Sequence, residues 1–123
     1  MKKKIICFDL DNVICFTKKN LYKKSKPNKM AIKKINSLYE QGFEIKIFTS
    51  RYMGRCKESK NCAKKRGYKF TKKQLDKWNL KYSKLIFGKP SYDLYVDDKA
   101  IFFKKNWYKS IHNYTKKLSN LKK

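Results

Sequence analysis

Ile5-Ile6-Cys7-Phe8-Asp9-Leu10-Asp11-Asn12-Val13-Ile14 is the stretch on which the reading of this chain turns. Its first half is a short apolar run rich in Ile and Phe, the pattern of a buried strand, so that a strand is predicted over Lys3 to Leu10. The run ends in two carboxylates one residue apart, in a chain with nine acidic residues against thirty-four basic ones. At a formal charge of +25, an Asp would be expected to offset surface lysines. Two of them at a strand end need a local cause, and a cation or a reacting phosphate supplies one.

The chain's 123 residues fit one domain, residues 1-123, large enough to bury roughly two-thirds of the surface exposed on unfolding. Apolar residues at 41% and aromatics at 15% set it apart from disordered chains of high net charge. Of the cations only Arg51, Arg55 and Arg66 are Arg, and Asn, Ile and Tyr are abundant, a bias that a low-GC genome produces unaided. Such a positive field nevertheless attracts phosphorylated substrates, nucleic acid or anionic surfaces, with affinity falling as salt rises.

Cys7, Cys15, Cys56 and Cys62 form no Cys-x-x-Cys pair and His112 is the single histidine, which argues against a zinc site. Cys7 reads as a buried thiol of the first strand. Cys56 and Cys62 share a loop and could pair or bind metal, though nothing in their spacing calls for either. The basic start Met1-Lys2-Lys3-Lys4 precedes an apolar run that stops at Asp9, too short for a signal sequence or a membrane span. An intracellular, cytoplasmic protein is expected.

Beyond the first strand, residues 15 to 29 are Lys-rich and read as a flap or loop. Ala31, Ile35 and Leu38 then recur at helical spacing, predicting a helix from about Asn28 to Gln41, closed by Gly42. Phe43 to Thr49 alternates and turns apolar, a second strand, so that a parallel strand-helix-strand unit follows. Residues 50 to 70 are hard to assign. Thr71-Lys72-Lys73-Gln74 has capping-box spacing and predicts a short helix with Leu75 and Trp78 on its apolar face. Leu85-Ile86-Phe87 predicts a third strand and Asp93 to Asp98 a fourth. Trp107, Ile111, Tyr114, Leu118 and Leu121 mark one face of a closing helix at about 106-121, where His112 has no expected catalytic part.

The strand ends carry the chemistry. Asp9 and Asp11 follow the first strand, Thr49-Ser50-Arg51 the second, Lys89 the third, and Asp97 with Asp98 the fourth. An open parallel sheet projects all these ends to one edge. Four carboxylates crowded there would repel, so some are protonated or a hard cation sits among them, and magnesium suits such oxygen ligands. Lys89 and the Thr49 hydroxyl offer a point charge and a donor for a phosphate. Without a serviceable His or Cys, a carboxylate is the available nucleophile.

The sequence resembles the haloacid-dehalogenase (HAD) superfamily of phosphohydrolases, whose four motifs are matched in order by Asp9-Leu10-Asp11-Asn12-Val13, Thr49, Lys89 and Asp97-Asp98. The texture Phe-Asp-Leu-Asp-Asn, Phe-Thr-Ser-Arg and Gly-Lys-Pro followed by Tyr-Val-Asp-Asp is similar to the small capsule- and polysaccharide-biosynthesis phosphatase branch. The match covers residues 3 to about 103. The resemblance implies an α/β, Rossmann-like three-layer domain with a central parallel sheet and no cap domain, since neither 14 to 27 nor 52 to 70 is long enough for one.

By the same resemblance Asp9 is the nucleophile and a magnesium ligand. Asp11 is the general acid and later the base, and ligates magnesium through its main-chain carbonyl. Thr49 and Lys89 hold phosphoryl oxygens, and Asp97 and Asp98 bind the metal. Ser50 and Arg51 join them as candidate phosphate contacts, with Arg51 either gripping a substrate phosphate or pairing with a nearby acid. Thr49 could instead cap the following turn. Asn12-Val13 replaces the commoner Gly-Thr and removes a hydroxyl that often supports this loop. The expected activity is hydrolysis of a phosphomonoester through an aspartyl-phosphate, on a sugar phosphate or related metabolite. A nucleic-acid end phosphatase and a non-catalytic polyanion-binding module are the rivals. An open site suits a bulky substrate, or a dimer whose second subunit covers it.

Overall fold

The computed structural model describes residues 3–120, with the side chains of Ser119 and Asn120 excepted. Its described residues form two compact units that divide between Ser91 and Tyr92.

The first unit is built on a three-stranded parallel sheet in the order β1 (Ile5–Phe8), β4 (Glu44–Thr49), β5 (Lys84–Phe87). Phe8 lies opposite Ile47, and Thr49 opposite Phe87, so the three strands end near one edge. Alternation in β4 buries Ile45, Ile47 and Thr49, and in β5 Leu85 and Phe87. The expected strand-helix-strand unit is present.

Helix α1 (Lys29–Glu40) begins at Asn28, whose side chain accepts from the Ala31 N–H at 3.1 Å. It buries Ala31, Ile32, Ile35 and Leu38. Gly42, at φ 102°, takes the left-handed position that ends the helix, where any side chain would be strained. Between β1 and α1 the chain forms a flap: β2 (Cys15–Phe16) pairs antiparallel with β3 (Lys26–Pro27), and a 3-10 turn at Tyr22–Lys24 lies between them.

Helix α2 (Lys60–Lys77) corrects the expectation of a short helix starting at Thr71. Ser59 is its N-cap, accepting from the Cys62 N–H, and the helix runs for 18 residues. Thr71 and Gln74 therefore share a face in mid-helix, which the same i, i+3 spacing produces as readily as a capping box. The loop between β4 and α2 is closed by a Cys56–Cys62 disulfide. Gly67 lets Tyr52 lie against α2, since a Cβ there would come within 2.4 Å of the Tyr52 ring.

In the second unit the strand expected over Asp93 to Asp98 is not formed. Leu94 and Val96 are 81% and 88% exposed, so the alternation that suggests a strand buries no apolar face there. A 3-10 turn at Trp107–Lys109 and α3 (His112–Asn120) replace one continuous closing helix. Trp107, Ile111 and Thr115 are buried and Tyr114 is exposed. Leu121 lies outside the described residues. No helix among the described residues is long and apolar enough to cross a membrane.

Candidate functional site

Thr49 is the last residue of β4, and Asp9, Asp11, Ser50, Arg51 and Lys89 follow the ends of the parallel strands of the first unit. Asp9 Oδ1 accepts from the Leu10 N–H at 2.8 Å, and Asp9 Oδ2 lies 3.4 Å from Lys89 Nζ. Burial raises the Asp9 carboxyl above its ordinary value, against the opposing pull of Lys89 and the Leu10 N–H. Lys89 reaches this position because its own N–H donates to the Thr49 carbonyl at 3.1 Å, extending the β4–β5 ladder. Gly88, at φ 105°, turns the chain there, and a Cβ would collide with the Lys60 side chain at 2.7 Å. Beyond it, both carboxylate oxygens of Glu58 hold Ser91, one on its N–H and one on its hydroxyl. The disulfide-closed loop thus braces the segment that carries Lys89.

Asp11 is held differently. Its Oδ1 accepts from Thr17 Oγ1 at 2.5 Å and from Arg51 Nη2 at 2.8 Å, while Arg51 Nε reaches Oδ2 at 3.0 Å and Oδ1 at 3.2 Å. Arg51 is 1% exposed. Its Nη1 donates to Gln74 Oε1 at 2.7 Å and Thr71 Oγ1 at 3.3 Å, and Nη2 also reaches Ser25 Oγ at 3.4 Å. The Tyr22 ring lies 4.9 Å from its central carbon. All five guanidinium donors meet acceptors inside the unit, so the phosphate-gripping role expected of Arg51 gives way to its alternative, pairing with an acid.

Thr49 is fully buried and its Oγ1 accepts from the Arg51 N–H at 3.1 Å, which caps the turn leaving β4. Ser50 is half-buried, and its carbonyl accepts from the Met53 N–H. Asn12 occupies a left-handed conformation at φ 65°. Asn tolerates that region better than other side-chain-bearing residues. Its Oδ1 accepts from the Thr17 N–H at 3.1 Å. At Cys15 beside it, burial pushes the thiol up to about 11, opposed by the Thr17 hydroxyl, and so disfavours the thiolate.

Asp97 and Asp98 belong to the second unit. There Asp97 Oδ1 accepts from the Lys99 N–H at 2.8 Å and Oδ2 from Tyr95 OH at 3.3 Å. The Lys99 N–H, together with Tyr95, holds the Asp97 carboxyl below its ordinary value. Among the described residues no group of three or more His, Cys, Asp and Glu is arranged to hold a metal ion. Within the first unit the donors available to a cation are oxygens, and Asp9 is the carboxylate of the pair not spent on a guanidinium. That donor set fits a hard cation such as magnesium in type.

Thr17, Ser25 and Tyr22 are parts of this site that the sequence did not disclose, being polar or aromatic residues of a flap without motif spacing, and Gln74 joins them although its spacing from Thr71 points to a helix start. A separate groove of about 750 Å³ around the start of β5, lined by Tyr39, Tyr68, Tyr82 and Lys84, contains none of the candidate residues.

The Asp9–Lys89 pair makes a prediction that needs no activity. In metal-free protein the Asp9 carboxyl, followed by carbon-detected NMR, titrates above the ordinary 3.8. In Lys89→Ala the midpoint moves higher still, because the cation that favours the ionised form is gone while the burial stays. A midpoint unmoved by Lys89→Ala would mean that the two groups do not interact.

No family model matches the chain, and no curated protein does. The crystal structure of an MCSG target from Vibrio cholerae shares its fold, at 24% identity and a TM-score of 0.80 over 94% of this chain and 98% of that one. At that identity the likeness establishes an α/β fold in common.

Proposed function

We propose that this chain is a magnesium-dependent phosphomonoester hydrolase of the HAD type, with a Rossmann-like domain lacking a cap, acting on a sugar phosphate or related metabolite. The observation that carries the reading is the Asp9–Lys89 pair at 3.4 Å, set at the strand-end edge with a second carboxylate two residues on. Lys89 offsets charge on the incoming phosphate and on Asp9, which lets an anion approach a carboxylate nucleophile.

Asp9 attacks phosphorus, forming the aspartyl-phosphate O–P bond as the ester P–O bond breaks. Asp11 gives a proton to the departing oxygen. It then takes a proton from the water that attacks the aspartyl-phosphate, which releases inorganic phosphate and restores Asp9. Thr49 fixes the turn that carries Ser50, and Ser50 with Lys89 contacts the phosphoryl oxygens. A magnesium ion, when bound, would neutralise phosphoryl charge, and within the first unit Asp9 and the Asp11 carbonyl would hold it.

Phosphate release from p-nitrophenyl phosphate and a panel of phosphorylated metabolites, with magnesium and with EDTA, tests this. Magnesium-dependent release is expected. No release from any substrate would overturn the reading in favour of a polyanion-binding module.

A nucleic-acid end phosphatase is the second reading, favoured by one observation. Lys65, Lys69, Lys73 and Lys77 stand exposed at intervals of four along α2. Like charges at this spacing each cost a helix a few tenths of a kcal/mol, which a polyanion would offset. A 3′-phosphorylated oligonucleotide outcompeting sugar phosphates, with a KM that climbs with salt, would establish it.

A further inference from the structure

We propose that Arg51 and Thr17 are positioning residues that saturate one carboxylate oxygen of Asp11, Oδ1, while the other, Oδ2, is engaged by Arg51 Nε alone and keeps a lone pair for the proton that Asp11 transfers. The inference rests on the hydrolase reading above and deepens it.

The two oxygens of Asp11 are unequally engaged. Oδ1 accepts from Thr17 Oγ1 at 2.5 Å and from Arg51 through Nη2 at 2.8 Å and Nε at 3.2 Å, with Cys15 Sγ at 3.7 Å besides. These donors leave it no capacity for a proton in flight. Oδ2 meets only Arg51 Nε, at 3.0 Å, among the described residues, and keeps a lone pair. A carboxylate that serves as acid and then as base must present the same oxygen twice in one geometry, and anchoring its partner oxygen achieves this.

The anchor is itself braced from two directions. Helix α2 supplies Gln74 and Thr71 to Arg51 Nη1, and the same Gln74 donates through Nε2 to the Tyr22 carbonyl at 2.8 Å. The flap supplies the Tyr22 ring and Ser25 Oγ, which also lies 2.6 Å from Thr17 Oγ1. A guanidinium is planar and always charged, so its fork fixes the carboxylate plane as a lysine ammonium would not.

A buried ion pair can equally be mere structure, and leaving-group dependence separates the two. A dinitrophenyl ester expels its phenolate unprotonated, whereas phenyl phosphate needs the proton. In Arg51→Lys and Thr17→Val, kcat for phenyl phosphate is expected to fall by about tenfold or more, a part of the 10²–10⁴-fold that a general acid supplies, with KM unchanged. For the first step on the dinitrophenyl ester, read as the phenolate burst, the loss should stay within about threefold, since little proton transfer is then at stake. Equal losses on both esters, or no loss on either, would overturn the positioning role while leaving the hydrolase reading in place. Wild-type protein that turns over neither ester would overturn both. Thr17→Val deletes one hydroxyl at near-constant volume, so it carries the test if Arg51→Lys does not fold.

Discussion

Asp9→Asn is expected to abolish turnover while leaving the fold intact or somewhat more stable. The loss follows from chemistry: the amide has no anionic oxygen to attack phosphorus, and no other side chain at the strand ends replaces it. Cys15 is held as a thiol and Asp11 is bound to Arg51. The stability follows from the direction of the Asp9 shift. Burial raises the carboxyl above 3.8 in the folded protein, so the folded state binds its proton more tightly than the unfolded chain. Stability from this group is present below the unfolded value, falls as pH rises from there through the folded value, and is fully lost above it. At neutral pH the ionised Asp9 is a cost, and Asn removes it. Single-turnover assays with a dinitrophenyl phosphate together with a urea melt at pH 7 check both halves. Retained turnover would sink the covalent route, and marked destabilisation would sink the account of Asp9 as a carboxylate held against its own solvation.

Asp11→Asn should behave in the opposite sense on stability and less absolutely on rate. Loss of the general acid and base costs about 10²–10⁴-fold in kcat on an unactivated ester. With a dinitrophenyl ester the first step needs little proton assistance, so a burst of phenolate equal to the enzyme present is expected, followed by slow release of phosphate. The substitution also leaves Arg51, whose side chain is wholly buried, without its counter-charge. Orphaning one member of a buried pair costs about 3–5 kcal/mol, and the amide oxygen that Asn keeps places this case at or below the low end. A dead variant without a burst would move the nucleophilic step onto Asp11. An unchanged melt would mean that the Arg51 fork is not the anchor described above.

The pair of variants exposes a division built into the fold. Asp9 is the less satisfied carboxylate, with one N–H and one ammonium, and Asp11 the more satisfied, with a guanidinium and a hydroxyl. On the hydrolase reading, the group that would form and break a covalent bond is the less engaged one, and the group that would return to one position is the one tied down.

Much of this was legible in the residue order. The apolar run before Asp9, the Asn28 cap with its Ala31, Ile35 and Leu38 stripe, and the alternation into Thr49 predicted β1, α1 and β4 closely, because local caps and periodicity report directly on local structure. Lys89 beside Asp9 was readable as well, since each follows a parallel strand and such strands end together. Thr71 and Gln74 were read as a helix start because i, i+3 spacing has the same form at a cap and on an interior face. Asp93 to Asp98 was read as a strand because alternation of Leu94 and Val96 cannot say whether a partner strand is present.

By itself the sequence determined the parallel β-α-β core of the first unit and the set of oxygen-bearing and cationic residues at its strand ends, both being consequences of short-range pattern. Only the tertiary structure decided what those residues touch. Arg51, itself one of the expected phosphate contacts, is drawn inward because Asp11, Ser25 and the α2 residues Thr71 and Gln74 converge on it from three separate segments. That convergence is a property of packing between residues up to 40 positions apart, and no local pattern encodes it.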